Sequence, residues 1–177
     1  MGKAIRTPRP DADGVGAGGA GGPGAGGPGA PGDTAVRPRP APDRDSAYWW
    51  EAVRDRRFLV QYCADCRSPR FPPREVCAVC LSLEWHWHQG TGTGTVDGWT
   101  VTRRTFHPAF PAPYTVLRVA LDDAPALYCW GGLVGADPAD LRRGLPVEAE
   151  FTELPPENGR TLGEDGPDVV VDWRPLG

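Results

Sequence analysis

The chain reads as a mainly β protein: one N-terminal helix, a pair of cysteine knuckles holding a metal, then a small five-stranded barrel. Three observations carry this reading. Cys63-x-x-Cys66 and Cys77-x-x-Cys80 stand ten residues apart. A single short stretch, 46–57, has apolar residues at helical spacing. From Gly90 onward, short runs of alternating apolar residues are separated by Gly and Asp, the pattern of successive strands and turns.

The first 45 residues differ from the rest. Residues 11–32 are nearly all Gly, Ala and Pro, and Pro38, Pro40 and Pro42 continue the bias. Such a composition cannot bury enough apolar surface to offset its ordering entropy, so 1–45 is expected to be a disordered tail. No apolar run follows Met1 as in a signal peptide, and none is long enough to cross a bilayer, so a soluble, cytoplasmic protein is expected. The remaining residues, about 130, are one domain's worth. They divide into 46–89, holding helix and knuckles, and 90–177, holding the barrel.

Asp45 or Ser46 is placed to cap the helix, whose Tyr48, Trp49, Ala52 and Val53 form an apolar side. Phe58 to Tyr62 reads as a strand entering the first knuckle. Pro69, Pro72 and Pro73 make the segment between the knuckles an extended arm. Leu83 to His88 alternates strictly and reads as the strand leaving the second knuckle. Strands follow around Val96–Val101, over 114–121, over 126–130, around Val147–Phe151 and over 169–173. Asp137-Pro138 opens a short helix between the third and fourth of these, closed by Gly144. Five strands with one inserted helix suggest a small barrel of the OB type.

Four sulfurs so spaced can surround one ion. Zinc is expected, because it accepts four thiolates in a closed tetrahedron that stabilises a fold and performs no chemistry. Iron, which would make an electron carrier, is the other metal reading. Arg67, Arg70 and Arg74 either balance the negative charge of such a centre or form a solvated arm. Cys129, in an apolar run, reads as a small buried hydrophobe. His86 and His88 share a strand face; they read as polar residues opposite a Trp85/Trp87 face, ahead of a second metal site. The loop 104–114 mixes Phe106, His107, Phe110 and Tyr114 with three prolines. It suits docking of a partner, with a lid over the barrel as the alternative. Arg103 and Arg104 beside it, and Arg142 and Arg143, are candidate cations for the phosphates of a coenzyme A nucleotide; for the last two, plain electrostatics at a helix end is the stronger reading.

The ordered part carries 13 Arg against 18 Asp plus Glu, which argues against a nucleic-acid surface. No P-loop, Ser-His-Asp order or HExxH motif is present, so no catalytic residue is assigned.

The motifs YWWEAV (48–53), FLVQYCADC (58–66), RFPPREVCAVC (70–80), GTVDGWTVTRR (94–104), HPAFPAPYTVLRVALDD (107–123) and LVGADPADLRRGLPVEAEF (133–151) occur in one order. In these the chain resembles the bacterial and archaeal family of acyl-CoA-associated proteins that join a rubredoxin-like zinc ribbon to an OB-fold (domain of unknown function thirty-five). The resemblance implies one structural Zn2+ on Cys63, Cys66, Cys77 and Cys80. It also implies a non-catalytic subunit that pairs, as a hetero-oligomer, with a thiolase or thiolase-like aldolase, as in retro-aldol cleavage of steroid acyl-CoA side chains. Partner or CoA contact then falls to Arg103, Arg104, Phe106, His107, Phe110 and Tyr114. A single-stranded nucleic-acid module and a rubredoxin-like electron carrier are the rival functions. The chain departs from the usual ribbon in having Arg67 and Leu81, not Gly, after each second cysteine.

Overall fold

The computed structural model describes residues 37–155 and 167–177. The Gly/Ala/Pro-rich segment expected to be disordered lies, up to residue 36, outside the described residues. One helix, α1 (Ala47–Arg54), precedes a three-stranded sheet of β1 (Leu59–Cys63), β2 (Pro69–Arg70) and β3 (Trp85–Gln89), in the order β2-β1-β3. The second sheet holds β4 (Thr93–Thr102), β5 (Tyr114–Leu121), β6 (Ala124–Gly132), β7 (Pro146–Leu154) and β8 (Asp168–Pro175), in the order β6-β5-β4-β7-β8.

α1 forms where the apolar spacing places it, burying Trp49, Ala52 and Val53. Its cap differs from the expectation. Ser46 occupies the cap position but makes no side-chain cap bond. Asp43 instead accepts the Ser46 N–H at 2.8 Å, and the Ser46 hydroxyl accepts the Asp43 N–H at 3.0 Å, bracing the turn that leads into the helix.

The five-stranded sheet curls around an inner face to which β5 contributes by strict alternation. In β5, Thr115, Leu117, Val119 and Leu121 face inward and every intervening residue is half-buried. A bulge between Val96 and Gly98 bends β4 across two neighbours, β5 and β7. Closure occurs at a single parallel bridge, Leu133 to Trp173, next to the end of β6. Gly131 is required there: a Cβ would lie 2.6 Å from the Val171 carbonyl oxygen and 2.8 Å from the Trp173 ring. The strand order, the antiparallel ladders and the parallel closure are those of the OB barrel. The helix expected after Asp137 shrinks to one 3₁₀ turn, Pro138–Asp140. Asp137 caps it by accepting the Ala139 N–H at 2.8 Å, and Leu141 then turns extended to bury its side chain in the barrel.

The two sheets share one core. Trp49 meets Phe58 and Phe71 edge-on at 6.1 and 5.4 Å, and Phe58 in turn meets Trp173 of the barrel at 6.0 Å. The Trp49 indole N–H donates to the Leu59 carbonyl at 3.0 Å, so its polar atom is satisfied.

Residues 37–40 do not behave as composition alone suggests. Arg37 donates two hydrogen bonds of 2.9 Å to the Asp172 carboxylate, and Arg39 pairs with Asp168, four residues earlier on β8. Asp172 also accepts the Gly132 N–H at 2.9 Å, so one carboxylate ties β8, β6 and the N-terminal segment together. Burial alone would raise its pKa. The Arg37 guanidinium, with help from Thr152 and Gly132, outweighs burial and holds it below the usual carboxylate range. A depressed folded pKa means this stabilisation is complete above the ordinary carboxylate pKa and is lost as pH falls through the lowered value. Arg37→Ala is therefore expected to cost about 1.5–3 kcal/mol at neutral pH. The loss should shrink toward zero as Asp172 protonates, which urea titrations at stepped pH measure.

Candidate metal centre and docking rim

The two knuckles are copies of one another. CADCRS (63–68) and CAVCLS (77–82) share the pattern Cys-Ala-x-Cys-x-Ser at an offset of 14 residues. Their backbones repeat as well. The N–H of the first cysteine donates to the serine carbonyl, at 3.0 Å for Cys63 and 2.9 Å for Cys77. The residue after the second cysteine donates back to the first, Arg67 to Cys63 at 3.1 Å and Leu81 to Cys77 at 2.9 Å. Both of those residues take φ of +63°, the left-handed conformation. The tight turn left unsupported by the missing glycines is thus made without them, at roughly 1–2 kcal/mol each.

The four sulfurs all lie within 4.8 Å of one another, with Cys63–Cys80 at 3.6 Å and Cys66–Cys77 at 3.5 Å. Zn–S bonds of 2.3 Å in a tetrahedron require S···S edges of about 3.8 Å. The cage therefore fits zinc. Cys63 and Cys77 are buried, while Cys66 and Cys80 are exposed. The N–H groups of Cys66 and Asp65 point at Cys63 and hold its thiol below its ordinary pKa. The Ser68 hydroxyl and the N–H groups of Cys80 and Val79 push Cys77 down to about 5. At Cys80 the Ser82 N–H acts downward, but the neighbouring sulfurs, led by Cys66, together with burial push the thiol up to about 12. Thiols this close resist ionising together unless a cation sits among them, and zinc supplies that charge and deprotonates them outright. The binding free energy, about 10–16 kcal/mol, far exceeds the strain of two left-handed residues.

The arm between the knuckles is held from within. Gln61, buried on β1, accepts the Arg74 N–H at 2.9 Å. Arg70, also buried, donates to the carbonyls of Arg74 and Glu75 at 2.9 and 3.3 Å, so its guanidinium organises the arm. His86 and His88 flank the Tyr62 ring at 6.1 and 5.7 Å on the face opposite buried Trp87; Trp85 is only half-buried. Among the described residues, the four cysteines form the one cluster of three or more side chains able to hold a metal. Cys129 is a core residue whose thiol burial pushes up to about 12.

The rim loop, 103–113, joins β4 to β5 and is braced by its own polar groups. His107 Nδ1 accepts the Ala109 N–H at 3.2 Å, and the Thr105 hydroxyl accepts the Ala112 N–H at 3.0 Å. Its aromatics divide. His107, Phe110 and Tyr114 gather in a chain of ring contacts of 6.1 and 5.6 Å, with the Arg37 guanidinium 5.5 Å from the Phe110 ring. Phe106 instead stands 74 % exposed, with the Arg104 guanidinium 5.7 Å away, and Arg103 is exposed beside them. Phe110 and Tyr114, with Trp130, Leu133 and Val134, line a groove of about 630 Å³ whose polar end is Arg37 and Asp172. Arg142 and Arg143 fall in the turn after the 3₁₀ segment, apart from this groove's lining. Sequence reasoning did not single out Trp130, which is 60 % exposed, or Tyr128, 40 % exposed; their positions either side of buried Cys129 on β6 are the signal for it.

Purified protein is expected to hold one zinc per chain and to be colourless. Cys77→Ser should abolish stoichiometric zinc and expose Trp87 and Trp49. Metal analysis and tryptophan fluorescence read both, and zinc should be released on acidification as protons compete for the thiolates.

The chain matches the family model of the ChsH2 rubredoxin-like zinc ribbon domain over residues 50–86 and that of the ChsH2 C-terminal OB-fold domain over residues 87–152. It is 41 % identical over 123 residues to a probable enoyl-CoA hydratase alpha subunit of Thermomonospora curvata, covering 70 % of this chain and 38 % of that one. It is 30 % identical over 117 residues to the 3-oxo-4,17-pregnadiene-20-carboxyl-CoA hydratase alpha subunit of Mycobacterium tuberculosis, covering 66 % and 37 %. The chain thus spans under two-fifths of the length of these two relatives. A DUF35 domain-containing scaffold protein of Methanocaldococcus jannaschii is 28 % identical, with 83 % of its length covered by a match to 70 % of this chain. Among solved structures, a chain of the Ltp2-ChsH2(DUF35) aldolase superposes with a TM-score of 0.66 at 35 % identity, covering 77 % of this chain and 98 % of that one. With both of its parts matched in order over more than half its length, the chain belongs to the ChsH2 family, in which a rubredoxin-like zinc ribbon is joined to an OB-fold.

Proposed function

We propose that the chain is a non-catalytic partner subunit of an acyl-CoA-processing complex, pairing with a thiolase or thiolase-like aldolase. The observation that carries this is the match to the aldolase chain: 98 % of that chain is covered, at 35 % identity. A chain of that extent works there inside a two-protein aldolase, and this chain has the same two parts in the same order. The names of the two hydratase relatives support an acyl-CoA substrate, with steroid side chains as one class.

The geometry agrees with a role in assembly. A closed four-sulfur zinc site fixes shape and has no open position for substrate. The rim loop presents Arg103, Arg104 and Phe106 outward on a braced backbone, so little entropy is lost on docking. In this reading these residues, with His107, Phe110 and Tyr114, border the partner's substrate entrance, and acyl-CoA passes at that interface.

The separated chain is expected to give no turnover of acyl-CoA substrates. Co-expression with a thiolase-like protein of its own genome is expected to give a stable assembly with lyase or acyltransferase activity. Robust turnover by the isolated chain overturns the accessory reading.

A further inference from the structure

We propose that the outer face of β5 and β6, centred on Arg118, Tyr128 and Trp130, is the surface on which the thiolase-like partner docks, and that the partner meets it with an apolar socket rimmed by carboxylates. This rests on the partner-subunit reading above and assigns the surface and its complement.

Arg118 points outward, out of phase with buried Leu117 and Val119. The β5–β6 register sets Trp130 directly opposite it and Tyr128 opposite Ala120. The guanidinium lies 4.8 Å from the Tyr128 ring centroid and 6.0 Å from that of Trp130, and is ion-paired with Asp97 at the β4 bulge. Held by two rings and a carboxylate, this side chain has little freedom left to lose on binding. Trp, Tyr and Arg are the residues that dominate binding energy at protein interfaces, and Trp130 is left 60 % exposed on this strand. Trp130 also lines the groove with Phe110 and Tyr114, so the face runs without a break into the rim loop.

Charge selects the occupant. The chain has net charge −4, yet residues 98–121 and 124–136 contain no Asp or Glu and hold Arg103, Arg104 and Arg118. Asp122 and Asp123, at the β5–β6 turn, are engaged with the Thr93 and Thr91 hydroxyls. Along these two strands and the adjoining loop the formal charge is positive although the whole chain is acidic, so an acidic complement is attracted here. Three arginines, one already paired with Asp97, are too few to follow a phosphate backbone, which disfavours a nucleic-acid strand.

The test uses the full-length tagged chain, co-expressed with the thiolase-like proteins of its own genome; the protein it retains is the probe. Trp130→Ala and Arg118→Gln are each expected to weaken that complex by about tenfold or more. Zinc content and thermal midpoint should stay at wild-type values, and Glu148→Gln on β7 should bind as wild type. Wild-type affinity should fall as salt rises, less steeply for Arg118→Gln. Retention of no thiolase-like protein by the wild type removes the partner-subunit reading and this inference together. A wild-type complex that both variants form equally tightly overturns the inference and leaves that reading intact. So does finding that the same two variants abolish self-association or oligonucleotide binding while the complex is unchanged.

Discussion

The sulfur tetrahedron is the constraint on which the rest depends. Between Cys63 and Trp85 the chain forms only the two-residue strand β2, and the arm contains Pro69, Pro72 and Pro73. That stretch has too little apolar surface to fold by burial: Val76, Val79, Leu81 and Leu83 all stand exposed. The metal closes the loop instead, and in doing so sets β1 and β3 in register, Cys63 opposite Trp85 and Tyr62 opposite His86. Strand pairing then turns Trp87 inward beneath Tyr48 at 5.6 Å, which seats α1.

From that point the ribbon and the barrel cannot be separated energetically. Phe58 precedes β1 but stacks on Phe71 of the arm at 5.7 Å and meets Trp173 of β8. Tyr62 of the ribbon donates to the Asp123 carbonyl at the β5–β6 turn, 3.1 Å away. The strand that opens the ribbon, with the residue before it, therefore addresses the barrel at both β8 and the β5–β6 turn. Loss of zinc is thus felt beyond the knuckles, because the rings that line up on β1 are the same rings that cover the barrel's end.

Much of this was legible because it rests on spacing. Paired cysteines, the alternation in 114–121 and the Asp-Pro cap at 137–138 each encode a local geometry that needs no distant partner. The features that sequence reasoning missed depend on non-local pairing. Arg37 and Arg39 sit in a proline-rich stretch whose composition signals disorder, and only the two-residue spacing against Asp168 and Asp172 on β8 reveals a clasp. Ser46 keeps the cap position, but the side-chain bonding moves to Asp43 because the chain enters through an extra turn, which its proline-rich flank conceals. Trp130 and Tyr128 were hidden by an apolar run in which only Cys129, between them, is buried.

The division between Phe106 and Phe110 shows why a docking surface and a core are hard to tell apart in sequence. Both lie in one proline-rich loop, four residues apart, and both carry the same side chain. Phe110 is committed: Tyr114 below it, His107 at its edge and the Arg37 guanidinium above it leave it half-buried. Phe106 has the Arg104 guanidinium 5.7 Å from its ring and stays exposed. Part of the difference is Arg37, which the Asp172 carboxylate of β8 holds in place. An ion pair beside the barrel's closing bridge therefore also packs on the aromatic that is committed, so the N-terminal clasp reaches the rim at Phe110 and leaves Phe106 free of it.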